Sequence, residues 1–142
     1  MSTHTETLKA LIEAWRQQDV DGVLQCLHKD ITWNNSGGLR SPIQGKSAME
    51  KVLREMAQGI AESRWRLFDY TEAGETMWME GVDEFIQTDG TRIAIPYAGV
   101  LEFKDGLIIK WREYFQGQLI ENMRAGEGIS WQVEAMLDRP EV

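Results

Sequence analysis

Cysteine and histidine are scarce in this chain, and their scarcity excludes several kinds of site. Cys26 is the only cysteine, so no disulfide can form within the chain. With only two histidines, His4 and His28, a zinc or other transition-metal site is not expected. Carboxylate-bound magnesium or calcium stays open, although no segment has the spacing of a calcium-binding loop. We predict a protein that uses no metal and no other cofactor.

Long apolar runs and an excess of positive charge are also missing. No segment is long and apolar enough to span a membrane. The first residues, Met-Ser-Thr-His-Thr-Glu, lack the basic and then apolar pattern of a secretion signal. The formal net charge of -8 argues against nucleic-acid binding, which needs basic surface. We therefore expect a cytoplasmic protein with neither a nucleic-acid nor a membrane partner.

The residues that are present suit one domain spanning residues 1–142, with 42% of them hydrophobic. Apolar positions recur at helical spacing near the N-terminus and at strand spacing from Arg64 onward. Cap and spacing signals predict three helices in the first part of the chain: one from Thr3 or Thr5, with Thr3 and Glu6 as a capping box, one at Val20–Leu27 capped by Asp19 or Asp21, and one opened by a Ser47–Glu50 capping box. Strands are predicted at Ile31–Asn35, Arg64–Ala73, Met77–Gln87, Arg92–Lys104 and Leu107–Gln118. Short helical segments are predicted at Leu119–Arg124 and after a Ser130 cap.

Asp-Gly pairs at positions 89–90 and 105–106 join the last three strands, and this dipeptide is typical of tight hairpins. Gly81 and Gly99, inside strands, indicate bulges or bends. The sequence thus predicts an α+β fold, in which a cone-shaped, curved antiparallel sheet wraps around three N-terminal helices. Residues 36–44 are rich in turn residues and form either a lid over a cavity or a plain connecting loop.

Two strands each carry one carboxylate on an otherwise apolar face. These are Glu113 in the last strand and Asp83 in the strand at 77–87. Such an acid is costly unless it is paired, hydrogen-bonded or protonated. We interpret the two as an acid/base pair in one shared cavity. The alternative is that either acid faces solvent or pairs with an arginine such as Arg64 or Arg92.

The remaining residues of interest divide between the two faces of the sheet. On the inner face, apolar residues are expected to line the cavity and bind an apolar substrate, with Tyr97 able to donate to a substrate oxygen. They are Trp33, Met79, Ile95, Tyr97, Trp111 and Phe115. On the outer face, Trp78, Val82 and Ile86 form an apolar stripe that a monomer would expose. This stripe predicts a homodimer through the outer face.

The order of elements, closed by Trp-Arg-Glu-Tyr-Phe at Trp111–Phe115, resembles the nuclear transport factor 2-like superfamily. The chain is most similar to its limonene-epoxide hydrolase and SnoaL-like polyketide cyclase branches, over roughly residues 7–123. The resemblance implies that Glu113 matches the hydrolase base and that Asp83, in Glu80–Asp83, matches the acid. It also implies that Asn35 matches a residue that helps to hold the catalytic water.

Three residues depart from the hydrolase pattern. Gly81 replaces an arginine that bridges the two acids, Trp33 replaces a water-holding tyrosine, and Glu113 is one methylene longer than the aspartate of the family. Without the arginine, two neighbouring carboxylates tend to share a proton.

We predict a cofactor-free enzyme that adds water to an epoxide on a small apolar molecule, with Glu113 as base, Asp83 as acid and Asn35 orienting the water. Two alternatives stay open. One is an isomerase, cyclase or dehydratase of the ketosteroid-isomerase or SnoaL-like type. The other is a non-catalytic, dimeric module that binds small molecules.

Overall fold

The computed structural model describes residues 2–35 and 38–142. Its helices are α1 (Thr3–Arg16), α2 (Val20–Gln25), α3 (Lys46–Gln58), α4 (Gly117–Arg124) and α5 (Trp131–Met136). Its strands are β1 (Leu27–Asn34), β2 (Ile43–Gln44), β3 (Ile60–Ala73), β4 (Thr76–Gln87), β5 (Arg92–Lys104) and β6 (Leu107–Tyr114). None of the helices in the described part of the chain has the length and apolar character needed to cross a bilayer.

The six strands form one sheet in the order β2-β1-β6-β5-β4-β3. The meander from β3 to β6 is antiparallel, and only β1 and β6 pair in parallel. The predicted α+β architecture is therefore confirmed. The first strand begins at Leu27 rather than at Ile31. The strand β2 was not predicted, because two residues are too few to show a period.

Two of the predicted helix caps are confirmed and two are wrong. Asp19 and Ser130 each accept a hydrogen bond from a backbone N–H in the first turn of their helices. At α1 the cap is Ser2, earlier than predicted. The third helix follows Gly45, whose φ of 87° suits glycine, and has no side-chain cap, so the Ser47–Glu50 capping box does not form.

The predicted lid or loop at residues 36–44 is described only in part. Ser36 and Gly37 lie outside the described residues. Leu39 and Arg40 are exposed, and the segment ends in β2, which pairs with β1. The lid hypothesis therefore stays a prediction.

The main core lies between the first three helices and the concave face of the sheet. Helical spacing puts Leu8 and Leu11 of α1 and Met49 of α3 on buried faces, where none of the three is exposed. The sheet contributes fully buried residues from four strands, namely Leu27, Ile31, Met77, Leu101 and Ile108. This packing leaves the end of the cone near Asn35 and α4 for the cavity described below.

A register shift between β5 and β6 changes which residue of β6 enters the core. The shift leaves Ile109 without a partner in the ladder. Alternation by two, counted back from Trp111, predicts that Ile109 shares its inward face. Instead, Ile108 is fully buried and Ile109 is half-buried. Beyond the shift the alternation holds, and Trp111 and Glu113 face the interior as predicted.

The outer face of the sheet is covered by the C-terminal segment of the same chain. Val133 of α5 packs against Phe68, Val82 and Ala94, with the partly buried Ile129, Met136 and Leu137 around them. The predicted outer-face stripe is therefore wrong at Val82, which has no exposed surface.

The rest of the outer-face stripe is not continuous. Ile86 is half-buried, and only Trp78 is strongly exposed, at 55%. The amphipathic α5 needs an apolar partner and finds it on this face, which is why the stripe does not require a second chain. Dimerisation stays a prediction.

A fully buried acid, Glu84, anchors this outer layer. Its carboxylate accepts hydrogen bonds from Arg66 Nη2 at 2.7 Å and from Arg92 Nε at 2.6 Å. Burial alone would raise the pKa of Glu84, but the bonds from the two arginines outweigh burial and lower it. Arg92 also pairs with Glu134 of α5, at 2.5 Å. The ion network therefore holds the C-terminal helix on the sheet.

Candidate active site

The two predicted acids lie on the concave face of neighbouring parts of the sheet. Asp83 of β4 is paired with Ile95 of β5, and Glu113 of β6 is paired with Gly99 of β5. Side chains of a strand alternate between faces, so Ile95, Tyr97 and Gly99 form a row between the two acids. Arg66 and Arg92 do not reach Asp83, because they pair with the adjacent Glu84 on the other face of the sheet.

Both acids border one cavity of about 730 Å³. Most of the predicted site residues border it too: Trp33, Asn35, Ile95, Tyr97, Trp111 and Phe115. The structure therefore brings together residues from β1, β4, β5, β6 and the segment after β6. Their roles in binding or catalysis stay predictions.

Met79 is the predicted binding residue that the structure places elsewhere. It is buried in the core and does not border the cavity. The reason is Gly99, opposite Met79 in the ladder. A Cβ on Gly99 would lie 2.6 Å from Met79 Cε, so the methionine fills the space that a side chain at position 99 would need.

Sequence reasoning missed several residues that border the cavity. They come from the helices, β3 and β4, and include Leu53, Met56, Trp65, Phe85, Ile120 and Arg124. Trp65 pairs directly with Asp83 in the ladder. It could have been found, because it lies on the same face of β3 as the buried Ser63 and Leu67. The helix α4 closes one side of the cavity, and no local pattern indicates where it folds.

Indole rings form a continuous wall of the cavity. Trp65 and Trp111 are stacked, with ring centroids 6.0 Å apart and an interplanar angle of 6°. Trp33 lies 5.2 Å from Trp111, and Tyr97 lies 6.1 Å from Trp65. Aromatic pairs at these separations attract each other beyond simple burial, so the wall is rigid.

Tyr97 occupies the space next to Gly81. Its hydroxyl donates a hydrogen bond to the backbone carbonyl of Arg66, at 2.9 Å. A Cβ on Gly81 would lie 1.9 Å from that carbonyl oxygen and 2.6 Å from the Tyr97 hydroxyl oxygen. No side chain fits at position 81 while this hydrogen bond exists. The register shift expected at Gly81 lies instead on the facing strand, after Leu67.

The Tyr97 hydroxyl therefore donates its hydrogen bond within the protein rather than to a ligand. Its hydroxyl proton is used by the Arg66 carbonyl, so the oxygen can only accept further hydrogen bonds. Burial, and then the charges of Glu113 and Asp83, raise the pKa of Tyr97 and keep the phenol neutral. In this arrangement Tyr97 separates the acids and supports Trp65.

The acids themselves are strongly perturbed. Burial raises the pKa of Asp83 to about 7. Burial, and then the charge of Asp83, raise the pKa of Glu113 to about 8, and a hydrogen bond from Trp111 opposes the rise. Trp111 Nε1 lies 2.8 Å from Glu113 Oε1. Because the charge of one acid raises the pKa of the other, the two titrate as a unit near neutral pH.

Two residues that border the cavity each carry a buried polar atom without a hydrogen-bond partner among the described residues. The atoms are Asp83 Oδ1 and Trp33 Nε1. Buried polar groups are nearly always satisfied, and the exceptions in native proteins call for an explanation. A carboxyl oxygen and an indole N–H at one cavity are suited to contact a bound molecule. No group of three His, Cys, Asp or Glu side chains in residues 2–35 and 38–142 is arranged to hold a metal ion.

Comparison with known proteins identifies the family of the chain. The SnoaL-like domain family matches residues 8–111, which include the core of the fold and Asp83. The chain belongs to the SnoaL-like family. No match was found among curated proteins.

Solved structures of nuclear transport factor 2-like proteins share the fold. The SnoaL-like chain is 25% identical to an LEH-like epoxide hydrolase from M. tuberculosis, with a TM-score of 0.75 over 88% of this chain and 92% of that one. It is 24% identical to an NTF2-like protein of unknown function from Burkholderia pseudomallei K96243, with a TM-score of 0.74 over 87% and 97%. It is 16% identical to a putative SnoaL-like polyketide cyclase from Shewanella putrefaciens CN-32, with a TM-score of 0.76 over 88% and 98%.

Proposed function

We propose that this protein is an acid/base enzyme that adds water to an epoxide on a small, largely apolar molecule. The observation that carries the proposal is the pair Asp83 and Glu113, which border one cavity and titrate near neutral pH. A general acid or base is most effective when its pKa lies near the working pH. The similarity to an LEH-like epoxide hydrolase from M. tuberculosis supports the choice of reaction.

Glu113 is the base in this proposal. The hydrogen bond from Trp111 to Oε1 favours the ionised form of Glu113 and fixes the carboxylate plane. The second oxygen is then available to take a proton from water. The proposal needs the shared proton on Asp83, whose buried Oδ1 has no comparable donor. This form is the minor one in the empty cavity, because the pKa of Glu113, about 8, lies above that of Asp83, about 7.

The attacking water needs partners besides Glu113. Asn35 has an amide oxygen that can accept the second water proton, and Trp33 has an indole N–H that can donate to the water oxygen. An indole cannot accept a hydrogen bond, but this position requires only a donor. The replacement of the family tyrosine by Trp33 is therefore compatible with the mechanism.

The chemical step balances without any further reactant. Glu113 removes one proton from water while the water oxygen bonds to an epoxide carbon. The bond from that carbon to the ring oxygen breaks, and Asp83 delivers its proton to the oxygen that leaves. The product is a vicinal diol. Afterwards the proton on Glu113 returns to Asp83 and restores the starting form.

The test compares Glu113→Gln and Asp83→Asn with Glu80→Gln, on a panel of cyclic and aryl epoxides. Glu80 is a matched control because it lies on β4 but on the outer, solvent-exposed face. Each cavity variant should lower the rate by about 10²-fold or more, because positioned proton transfer contributes about 10²–10⁴-fold per group. The control should retain the wild-type rate. Equal rates in all four proteins on every substrate would rule out the proposal.

A second candidate reaction is proton transfer on a carbonyl compound, as in an isomerase or cyclase. The observation that favours it is the buried, unpartnered Trp33 Nε1, which could donate to an oxygen that gains negative charge. Water labelled with oxygen-18 separates the candidates. A hydrolase incorporates the label into its product, whereas an isomerase exchanges only hydrogen with the solvent.

A further inference from the structure

The two acids of the cavity have no positive partner in the described part of the chain. Among residues 2–35 and 38–142, no ion pair joins Asp83 or Glu113 to a basic side chain, and no positive charge contributes to the pKa of either acid. The arginines nearest in sequence are held by Glu84 and Glu102 on the outer face. Position 81 cannot supply a cation either, because Tyr97 and the Arg66 carbonyl fill its side-chain space.

The other charged groups of the cavity lie at its mouth. The titratable and charged side chains that border it are Asp83, Glu113, Tyr97, Glu121, Arg40 and Arg124. Arg40, Glu121 and Arg124 are exposed, and Arg124 is 3.8 Å from Glu121 and donates to Gln87 at 3.0 Å. Solvent screens these groups, so the charge felt deep in the cavity is that of the acids.

The walls next to the acids are electron-rich. Trp33, Trp65 and Trp111 form the indole wall, and Trp111 also contacts Glu113 through its N–H. The face of an indole attracts cations more strongly than that of any other side chain. Aromatic faces combined with carboxylates are the means by which proteins recognise quaternary ammonium groups, whereas a purely apolar ligand would gain nothing from the acids.

We propose that the cavity selects ligands that carry an organic cation, such as a protonated or quaternary amine joined to a small ring. The cation lies in the cavity beside Asp83 and Glu113, which have no basic partner among the described residues, and the indole faces contact its apolar groups. The unpartnered Trp33 N–H then donates a hydrogen bond to an oxygen elsewhere on the ligand. Binding of such a cation does not depend on whether the hydrolysis proposed above occurs.

The test uses a matched pair of ligands, phenyltrimethylammonium and tert-butylbenzene. They have the same shape, and the first differs by one nitrogen that carries a fixed positive charge. Binding is followed by tryptophan fluorescence at pH 6 and pH 9, because four indoles border the cavity. At pH 9 both acids are ionised, so the cation should bind at least about tenfold more tightly than its neutral isostere. At pH 6 both acids are mainly protonated, so this preference should fall to the part that the indole faces contribute.

The double variant Asp83→Asn, Glu113→Gln provides the second arm. It keeps the size of both side chains but cannot ionise, so the preference should be the same at both pH values and equal to that of the wild type at pH 6, while tert-butylbenzene still binds. If the variant keeps the full wild-type preference at pH 9, the two acids do not supply it and the proposal is overturned. No preference in the wild type at pH 9 overturns it as well. Should the variant fail to fold, the wild-type comparison between pH 6 and pH 9 decides alone.

Discussion

Replacing Asp83 by asparagine should make the protein more stable at alkaline pH. The pKa of Asp83 is about 7 in the folded protein and 3.8 as an ordinary side chain. Below pH 3.8 both states hold the proton, and there is no penalty. As the pH rises, the unfolded chain ionises first and the folded state loses stability until the pH passes about 7, after which the penalty is constant.

The magnitude follows from the same difference. Between pH 5 and pH 9 the folded wild type should lose about 3 kcal/mol through Asp83, at about 1.4 kcal/mol per pH unit up to its pKa. The variant Asp83→Asn does not titrate and escapes this loss. For a chain of this length, about 3 kcal/mol corresponds to roughly 10 °C in melting temperature. Glu113 adds to the effect, because the charge of Asp83 raises its pKa.

The assay is urea unfolding of wild type, Asp83→Asn and Asp138→Asn at pH 5 and pH 9. Asp138 is exposed, so its replacement makes the same chemical change at the surface and should alter stability equally at both pH values. Only the change in the difference between variant and wild type is interpreted, which cancels any cost of burying an amide and every titrating group that does not interact with Asp83, as Glu113 does. If Asp83→Asn gains nothing on going from pH 5 to pH 9, Asp83 is solvated and the reasoning about the cavity fails.

Two further results are expected. The rate of the catalysed reaction should have a bell-shaped pH profile with limbs near pH 7 and pH 8, because the reactive pair holds one proton. Trp111→Phe should move the limb near pH 8 to higher pH, because the hydrogen bond that it removes, worth about 1 kcal/mol, favours ionised Glu113; an unmoved limb would contradict that role. Gly81→Ala should cost about 2–4 kcal/mol of unfolding free energy, because its Cβ would collide with the Arg66 carbonyl. Gly117→Ala, with open space around it, should be near neutral in the same melt.

The acids could be predicted from the sequence because the alternation of β4 and β6 is regular where it matters. No register shift separates Met77 from Ile86 along the β4–β5 ladder, so counting by two places Asp83 correctly. The shift in β6 precedes Trp111, and counting from the wrong side of it misplaced Ile109 but not Glu113. A pattern of period two is thus reliable only between irregularities.

The errors share one physical cause, which is packing between distant parts of the chain. Met79 has the right period for the cavity, but its side chain fills the space in the core that a side chain at position 99 would need. Val82 has the right period for an exposed face, but Val133 covers it from a helix near the C-terminus. Neither contact can be predicted from the local sequence, because each depends on a residue far along the chain.

Adjacent positions 83 and 84 of β4 place strict demands on how the chain can evolve. The carboxyl of Asp83 has its pKa raised among indoles, and the carboxyl of Glu84 has its pKa lowered among arginines. A deletion of one residue within β4 would exchange the two environments. Glu84 would then lie among the indoles, away from its arginines, and the arginines would lose their buried anion. Insertions and deletions should therefore be tolerated at the hairpin ends and eliminated from the middle of this strand.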